Sequence, residues 1–173
     1  METAELKKLI EKHPSRGLLQ CVNFGKAAEG CAWIEMDALI DLCGALRNQN
    51  PAPFDWIENI SAMQMNEVIV LTYFIQSRQT GESCYLRSSV AITEADKKVS
   101  FPSVTGIWKS ATPFEREISE MFGIDFETSG KPSGDPDGIG KATILPKDFI
   151  GFPLRKYFVL SELITTPDVG GVE

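Results

Sequence analysis

The sequence predicts an α+β fold: a two-layer sandwich with helices packed on one mixed sheet of about four to five strands, followed by an extended C-terminal tail. The order of patterns is helix, strand pair, helix, strand series, helix, which does not fit a doubly wound sheet. The segment Glu67–Ser77 is apolar on both faces, as is typical of an interior strand. A chain of 173 residues fits one domain, residues 1–157, with a tail over residues 158–173.

The first part of the chain contains a helix, two strands and a second helix. The apolar pattern predicts a helix from Ala4 to Lys12 and strands from Leu18 to Phe24 and from Cys31 to Met36. Asp37 is a favourable N-cap, and the periodicity after it predicts a helix that ends near Asn48.

Three further strands are predicted from runs of β-branched and aromatic residues between turn signals. They extend from Phe54 to Met63, from Glu67 to Ser77 and from Ser83 to Ile92. Met65-Asn66 and residues 79–82 are predicted to form the turns between them.

A capped amphipathic helix follows a short strand, Val99–Pro102, and a short helical stretch, Ser103–Ser110. Thr112 is predicted to be its N-cap. Glu115, three residues later, would complete a capping box. Gly123 is the residue type expected just past the C-terminus, where a left-handed conformation is needed.

The charged residues of this helix surround an apolar stripe that is predicted to face a core. The stripe consists of Phe114, Ile118, Met121 and Phe122. Arg116 and Glu120 lie roughly opposite the stripe, with Glu115 and Glu117 at its edges. By itself this arrangement is typical of a solvated face on a surface helix, and it gains a functional meaning only with companion motifs.

The segment from Thr128 to Lys141 is rich in glycine and proline, which predicts an exposed loop or hairpin tip. Gly140-Lys141 resembles the end of a phosphate-binding loop. However, Asp135 stands where that motif needs glycine, and Ala142 where it needs serine or threonine. Asp135 and Asp137 supply too few oxygen ligands for a calcium loop. The sequence therefore predicts neither site here.

The composition argues against several classes of partner. A net charge of −7 without a basic stripe argues against binding of nucleic acid and against docking on an anionic membrane. No apolar run approaches the roughly 20 residues of a spanning helix, the longest candidate being Val68–Ile75. The first residues are charged and amphipathic, so no signal peptide is predicted.

Cysteine and histidine do not predict a metal or nucleophilic site. The widely spaced cysteines are interpreted as small buried apolar residues. They are Cys21, Cys31, Cys43 and Cys84. His13, the single histidine, stands before a proline at a predicted helix end, which favours a structural position over a catalytic one.

Three motifs in order carry a resemblance to a known family. They are Glu115–Glu117 (ERE), Glu120–Ile124 (EMFGI) and Pro153–Lys156 (PLRK). Together they resemble the C-type subunit of respiratory complex I and the equivalent subunit of related membrane-bound nickel–iron hydrogenases. The resemblance covers roughly Phe54 to Lys156 and includes Phe54–Ile60 (FDWIENI).

Two departures from the family pattern leave the particular complex open. The family follows its Gly-Ile-x-Phe with Gly-His-Pro and a pair of arginines, whereas here Phe126 is followed by Glu127-Thr128 and the loop rich in glycine and proline. The family also has aspartate after Pro-Leu-Arg-Lys, and here that residue is Tyr157. Both departures fall in the region expected to contact a neighbour.

The resemblance implies a non-catalytic structural subunit in the peripheral arm of a proton-translocating NADH:quinone oxidoreductase. It would pack on the large quinone-site subunit, of the D type, near the iron–sulfur subunits. No catalytic residue, cofactor or metal ligand of its own is expected. The protein would be cytoplasmic, without direct membrane insertion, and held at the inner face of the cell membrane through the complex. The alternative is the equivalent subunit of a hydrogenase-type complex.

The residues expected to contact the partner belong to the charged helix and to the later motif. They are Glu115, Arg116, Glu117, Glu120, Arg155 and Lys156. Arg116 and Arg155 suit bidentate hydrogen bonds with carboxylates, either within the chain or across an interface. If Arg155 serves the interface, its removal should weaken assembly and leave the melting temperature of the isolated chain unchanged.

Two other classes of function remain as alternatives. A free-standing enzyme would use paired carboxylates such as Glu117 and Glu120 as acid and base, but the sequence offers no pocket, metal site or nucleophile beside them. A general protein-interaction module on the same fold would bind a partner other than a complex I or hydrogenase subunit.

Overall fold

A five-stranded mixed sheet forms one layer of the protein. The computed structural model describes residues 3–11, 18–24, 29–49, 51–92, 97–128, 131–132, 144–146 and 149–158. The strands of the sheet are β1 (Leu18–Phe24), β2 (Glu29–Ile34), β3 (Trp56–Met65), β4 (Val68–Gln76) and β5 (Ser83–Ala91). Their order is β1-β2-β5-β4-β3, so β4 lies between two neighbours, as its apolar faces predicted.

The pairing of the strands confirms the predicted mixed sheet. β2 and β5 are parallel, with Cys31 opposite Tyr85, and the other pairs are antiparallel. β3 begins two residues later than predicted and extends to Met65, so the β3–β4 turn falls one residue later, at Asn66-Glu67. Asn66 has a φ of 51°, in the left-handed region that asparagine tolerates better than most residues.

Three helices form the second layer and cover one face of the sheet. They are α1 (Thr3–Glu11), α2 (Leu39–Arg47) and α3 (Thr112–Phe122). The core between the layers contains apolar side chains from every helix and from alternate positions of β4. Among its members are Leu6, Ile10, Leu39, Leu42, Ile69, Leu71, Ile75, Ile118 and Phe122. The structure thus confirms the α+β sandwich.

The opposite face of the sheet carries aromatic and polar contacts between neighbouring strands. The rings of Phe74 and Tyr85 stack with centroids 4.7 Å apart. The guanidinium of Arg87 lies 5.4 Å from the Trp33 ring centroid, and its Nε donates a hydrogen bond of 3.1 Å to Thr72 Oγ1. These contacts are cross-strand pairs of the kind that stabilise a sheet.

A second, three-stranded sheet lies next to α3. It consists of β6 (Val99–Pro102), β7 (Ile124–Thr128) and β8 (Lys131–Pro132). β6 and β7 are parallel, with α3 as the connection between them, which makes a β-α-β unit. The strand at Val99–Pro102 agrees with the prediction, whereas β7 was not predicted, because the apolar residues after Gly123 are too few for a strand pattern.

The helix caps differ from the predictions. Asp37 does not cap α2: a 3₁₀ turn, Met36–Ala38, precedes that helix, and neither has a side-chain cap. Thr112 lies inside α3, and Ala111 is the N-cap, so the predicted capping box is wrong. The Thr112 hydroxyl instead donates 2.9 Å to the carbonyl of Lys109. In both places a preceding 3₁₀ turn supplies the start of the helix.

The helical stretch predicted for Ser103–Ser110 is reduced to a 3₁₀ turn, Lys109–Ala111. Trp108, before this turn, is buried, and its Nε1 donates a hydrogen bond of 2.9 Å to the carbonyl of Phe54. Tertiary contact with the start of β3 therefore determines the path of this segment. His13, most of the predicted loop 128–141 and the tail beyond residue 158 lie outside the described residues.

Gly123 ends α3 in the predicted left-handed conformation. Its φ is 64°, and its N–H donates 3.0 Å to the carbonyl of Ser119. A β-carbon at this position would lie 2.5 Å from the ring of Phe152. Glycine is therefore required at this position for two reasons, the backbone conformation and the close approach of the aromatic ring.

We expect Gly123→Ala to lower the free energy of unfolding by at least about 1–3 kcal/mol, the cost of a non-glycine residue in this region of φ. The clash with Phe152 adds to that cost. Gly44→Ala is the matched control, because a β-carbon at Gly44 in α2 meets no atom within 4 Å. Urea unfolding measures the free energy of unfolding of both variants. An unchanged midpoint for Gly123→Ala would contradict this account.

Candidate functional site

The segment 151–158 folds back onto the C-terminus of α3. The N–H of Leu154 donates 3.1 Å to the carbonyl of Met121. The side chain of Arg155 donates through Nε to the carbonyl of Phe122, at 2.7 Å, and through Nη2 to that of Gly123, at 3.2 Å. The last carbonyls of a helix lack intrahelical donors, so Arg155 acts as a C-terminal cap supplied from another part of the chain.

Arg155 is buried, with 4% of its surface exposed. Its guanidinium lies 4.5 Å from the ring centroid of Phe152, the residue that packs against Gly123. A positive charge at a helix C-terminus is favoured by the helix dipole, and the aromatic face adds a cation–π interaction. These contacts join Arg155 to α3 and to its own segment, which favours the internal alternative for this residue.

The same segment also binds the turn between β3 and β4. The N–H of Lys156 donates 2.8 Å to Oε1 of Gln64, a buried residue whose Nε2 donates 2.9 Å to the carbonyl of Asn66. The hydroxyl of Tyr157 donates 2.9 Å to Oε1 of Glu67, and this hydrogen bond raises the pKa of Tyr157. The segment 151–158 thus connects the end of α3 with the tip of the β3–β4 hairpin.

Glu115 is fully buried and turned toward the loop that follows β6. Its Oε2 accepts a hydrogen bond of 2.7 Å from Ser103 Oγ, and its Oε1 one of 2.8 Å from the N–H of Val104. The hydroxyls of Ser103 and Thr105 are 2.7 Å apart and continue this network. Burial raises the pKa of Glu115 to about 7, against the opposing effect of its two hydrogen bonds.

Two other titratable groups share the interior with Glu115. Burial raises the pKa of the Tyr73 hydroxyl and of the Cys43 thiol well above their usual ranges, and the negative charge of Glu115 raises both further. Tyr73 is on β4 and Cys43 on α2, so the carboxyl lies where the helical layer meets the sheet. A charge here is costly, because each neighbour is neutral and poorly hydrated.

The other predicted residues of α3 have different environments. Glu120 is half-buried, and its Oε2 accepts hydrogen bonds from the N–H groups of Ile144, at 2.9 Å, and Leu145, at 2.8 Å. Arg116 is half-buried, whereas Glu117 is exposed. Glu120 therefore anchors a later part of the chain to the helix, and Glu117 is the α3 carboxylate most open to a partner.

Four large apolar residues of the described segments 144–146 and 149–158 are exposed, and the sequence did not predict them as contact residues. Their exposed fractions range from half to three quarters. They are Ile144, Ile150, Leu154 and Tyr157. Leu154 borders a cleft of about 250 Å³ between β3 and α3, which we call the α3–β3 cleft. The cleft is lined on its rim by Asn59, Ser61, Glu117, Met121 and Leu154. Exposed apolar residues of this size next to a cleft are typical of protein contact surfaces.

The described residues do not form a cluster of metal ligands. Among them, no group of three or more histidine, cysteine, aspartate and glutamate side chains has the geometry to hold a metal ion. Glu117 is exposed on the helix surface, and Glu120 is engaged by two backbone N–H groups. The paired-carboxylate alternative therefore receives no support from the arrangement of these two residues.

No helix within the described ranges is long and apolar enough to cross a membrane.

The fold and the site define a class of protein. It is a small α+β chain in which part of a charged motif forms internal hydrogen bonds and exposed apolar residues border that motif. Comparison with known proteins makes the class specific. Residues 32–163 match the family model described as the 30 kDa subunit of respiratory-chain NADH dehydrogenase. This match covers more than half of the chain, which therefore belongs to that family, as the three motifs indicated.

Individual relatives agree with the family. The chain is 28% identical over 149 residues to the C-type subunit of NADH-quinone oxidoreductase from Mesorhizobium japonicum, covering 86% of this chain and 59% of the relative. It is 32% identical over 136 residues to the C/D-type subunit of a Psychrobacter species, covering 73% of this chain and 21% of the relative. The match to the C/D-type subunit of Bacteroides thetaiotaomicron is 30% over 122 residues, covering 64% and 21%. The chain thus spans about three fifths of the first relative and a fifth of the others.

A solved structure shares the fold. It is a chain of the membrane-bound sulfane sulfur reductase, an archaeal respiratory membrane complex, with a TM-score of 0.57 and 19% identity. The alignment covers 80% of this chain and 79% of the other.

We expect Arg155→Ala to lower the free energy of unfolding of the isolated chain by about 2–4 kcal/mol, because it leaves buried carbonyls at the end of α3 without their donor. Lys156→Ala is the matched control, since the Lys156 side chain is exposed and the substitution keeps the backbone N–H that donates to Gln64. Thermal and urea unfolding distinguish the two. A normal melting temperature for Arg155→Ala would favour the interface alternative for that residue.

We expect the stability of the protein to depend on the titration of Glu115. Its folded pKa of about 7 lies above the ordinary value of 4.5, so the folded state binds the proton more tightly than the unfolded state. Stability from this group is full below pH 4.5 and is lost as the pH rises to about 7, by up to about 3 kcal/mol.

The test is Glu115→Gln, which keeps an acceptor for Val104 and cannot ionise. We expect this variant to lose that pH dependence and to be at least as stable as the wild type at pH 8. Glu117→Gln, on the exposed face, should follow the wild type throughout. If Glu115→Gln and the wild type show the same slope of unfolding free energy between pH 4.5 and 7, the buried carboxyl does not titrate in that range.

Proposed function

We propose that this protein is a non-catalytic structural subunit in the peripheral arm of a proton-translocating NADH:quinone oxidoreductase, where it packs on the large subunit of the quinone site. One observation of the structure carries the proposal. Leu154 and Tyr157 are exposed apolar residues on one segment, and Arg155, which lies between them in the chain, is buried and bonded to α3. A contact surface that is already ordered loses little conformational entropy when a partner binds.

The chemistry of the surface fits a protein partner. The α3–β3 cleft offers Leu154 and Met121 as apolar contacts, with the carboxylate of Glu117 on its rim. Lys156, two residues after Leu154 in the chain, is exposed and supplies a positive charge. A centre of apolar contacts surrounded by charged residues of both signs is the usual organisation of a specific interface. Glu117 and Lys156 are the predicted partner residues that this surface retains.

The relatives support a D-type partner. Two of them are single chains whose names combine the C and D types, and this chain matches only about a fifth of each. Fusion of two subunits holds them at high effective concentration and is compatible with a direct contact between them. The proposed subunit contributes no catalytic residue, cofactor or metal ligand, and it is held near the iron–sulfur subunits at the inner face of the cell membrane through the complex.

A second candidate is the equivalent subunit of another membrane-bound respiratory complex, such as a hydrogenase-type complex. The fold similarity to the archaeal sulfane sulfur reductase chain favours it. The replacement of the family's Gly-His-Pro by Glu127-Thr128 after Phe126 also favours a neighbour that differs from the usual one. Both candidates share the structural role and differ in the large subunit that is bound.

The test is a gentle affinity purification of the tagged chain from its native membranes, with the recovered subunits identified by mass spectrometry. Recovery of a quinone-site subunit with iron–sulfur subunits supports the first candidate, and a nickel–iron large subunit supports the second. Recovery of the chain alone, or with unrelated soluble proteins, contradicts both and favours a free-standing interaction module.

We expect Leu154→Asp to reduce recovery of the large subunit by about tenfold or more, the effect of losing about 1.4 kcal/mol at an interface. Met63→Asp is the matched control. Met63 is 50% exposed against 54% for Leu154, and it is not among the residues that line the α3–β3 cleft. Both variants must keep the wild-type melting temperature. Equal recovery with the two variants would remove the α3–β3 cleft from the interface.

A further inference from the structure

A groove of about 510 Å³ lies between the turn that precedes α2 and the small sheet. It shares no lining residue with the α3–β3 cleft among the residues that the structure describes. We call it the acidic groove and define it by Met36, Asp37, Ile40, Pro102, Ile107 and Glu127. Its position makes it a second surface at which the protein can meet a neighbour.

The apolar part of the groove is incompletely covered. Met36, Ile40 and Ile107 pack against the hydrophobic core, but each remains half-buried and presents the rest of its surface to the groove. Phe101, which is 1% exposed, lies beneath them as part of the floor. Covering such side chains with an apolar group from a partner removes further surface from water and is favourable.

The charged part of the groove has one sign. Asp37 and Glu127 supply carboxylates, and the described residues of the lining include no lysine or arginine. Within the part of the chain that the structure describes, neither carboxylate forms a salt bridge, whereas the nearby Asp125 is paired with Lys98 at 2.9 Å. Asp37 is also not used as a helix cap, although its position predicted that role.

We propose that the acidic groove binds a segment of a partner protein in which a lysine or arginine stands beside an aliphatic or aromatic side chain. The apolar side chain would cover Met36, Ile40 and Ile107, while the cation would be placed between Asp37 and Glu127. This inference deepens the proposed function and rests on it for the identity of the complex. The net charge of −7 assists the encounter with a basic segment.

Site-specific photo-crosslinking in the intact complex tests the proposal. A photoreactive phenylalanine replaces Ser100, an exposed residue that lines the groove, and in a second preparation it replaces Tyr157 at the other surface. Each complex is purified from native membranes and irradiated, and the crosslinked peptides are sequenced by mass spectrometry. We expect the Ser100 probe to capture a segment of another protein that contains a lysine or arginine beside an apolar residue.

Charge variants test the electrostatic part of the proposal. Asp37→Asn combined with Glu127→Gln removes both charges with little change of shape. We expect it to lower the crosslinking yield at Ser100 by about fivefold or more at low salt and to weaken its salt dependence. Glu82→Gln, in the exposed turn before β5, is the matched control and should leave both unchanged.

The outcomes separate this inference from the proposed function. The groove proposal is overturned, and the function retained, if the Tyr157 probe crosslinks to a respiratory large subunit while the Ser100 probe gives no intermolecular crosslink. The same holds if the Ser100 probe captures an acidic segment instead of a basic one. Capture of a segment with a cation and an apolar residue from a protein outside any respiratory complex retains the groove proposal and overturns the function. An unchanged yield in the double charge variant overturns the role assigned to Asp37 and Glu127.

Discussion

The candidate site depends on the hydrogen bonds that the buried guanidinium of Arg155 donates to the end of α3. The guanidinium satisfies carbonyls at the end of α3 that the helix itself leaves without donors, and it does so from a segment 32 residues beyond Gly123. The ring of Phe152 fits against Gly123 and faces the same guanidinium, so the left-handed glycine and the cation form one unit. The positions of Leu154, Lys156 and Tyr157 follow from this unit, because they are its immediate neighbours in the chain.

Most of the fold could be predicted from local pattern. The apolar faces of β4, the turn signals between β3, β4 and β5 and the glycine after α3 are each specified by consecutive residues, and the predicted bounds of these strands were nearly correct. The capping box was wrong for a physical reason. Ser103 and Val104 are close to Glu115 only through the tertiary fold, and their donors outcompete the local backbone N–H for its carboxylate. A prediction of the N-cap from local sequence does not take account of donors that are distant in the chain.

The candidate site was chosen from sequence motifs, and the packing of its residues could not be predicted from those motifs. The motifs identified the helix and the later loop, but Glu115 and Arg155 proved buried while Glu117 and Lys156 are exposed. The sequence does not distinguish the charged residues of one motif from each other. The packing of the fold determines which of them form internal hydrogen bonds and which face water. Gln64 and the exposed Leu154 were missed, because a buried amide on a strand and a surface leucine give no distinctive pattern.

The fixed ends of the connection between β7 and the 151–158 segment have a consequence for how the family can vary. β7 is paired with β6 at one end, and at the other Glu120 binds the backbone of residues 144 and 145 and Arg155 holds the segment 151–158. Both ends of the connection are therefore fixed independently of its length. The entropy of loop closure grows only with the logarithm of length, and doubling a loop costs about 0.6 kcal/mol. Members of the family can therefore gain or lose residues here at little thermodynamic cost while the capped helix is preserved.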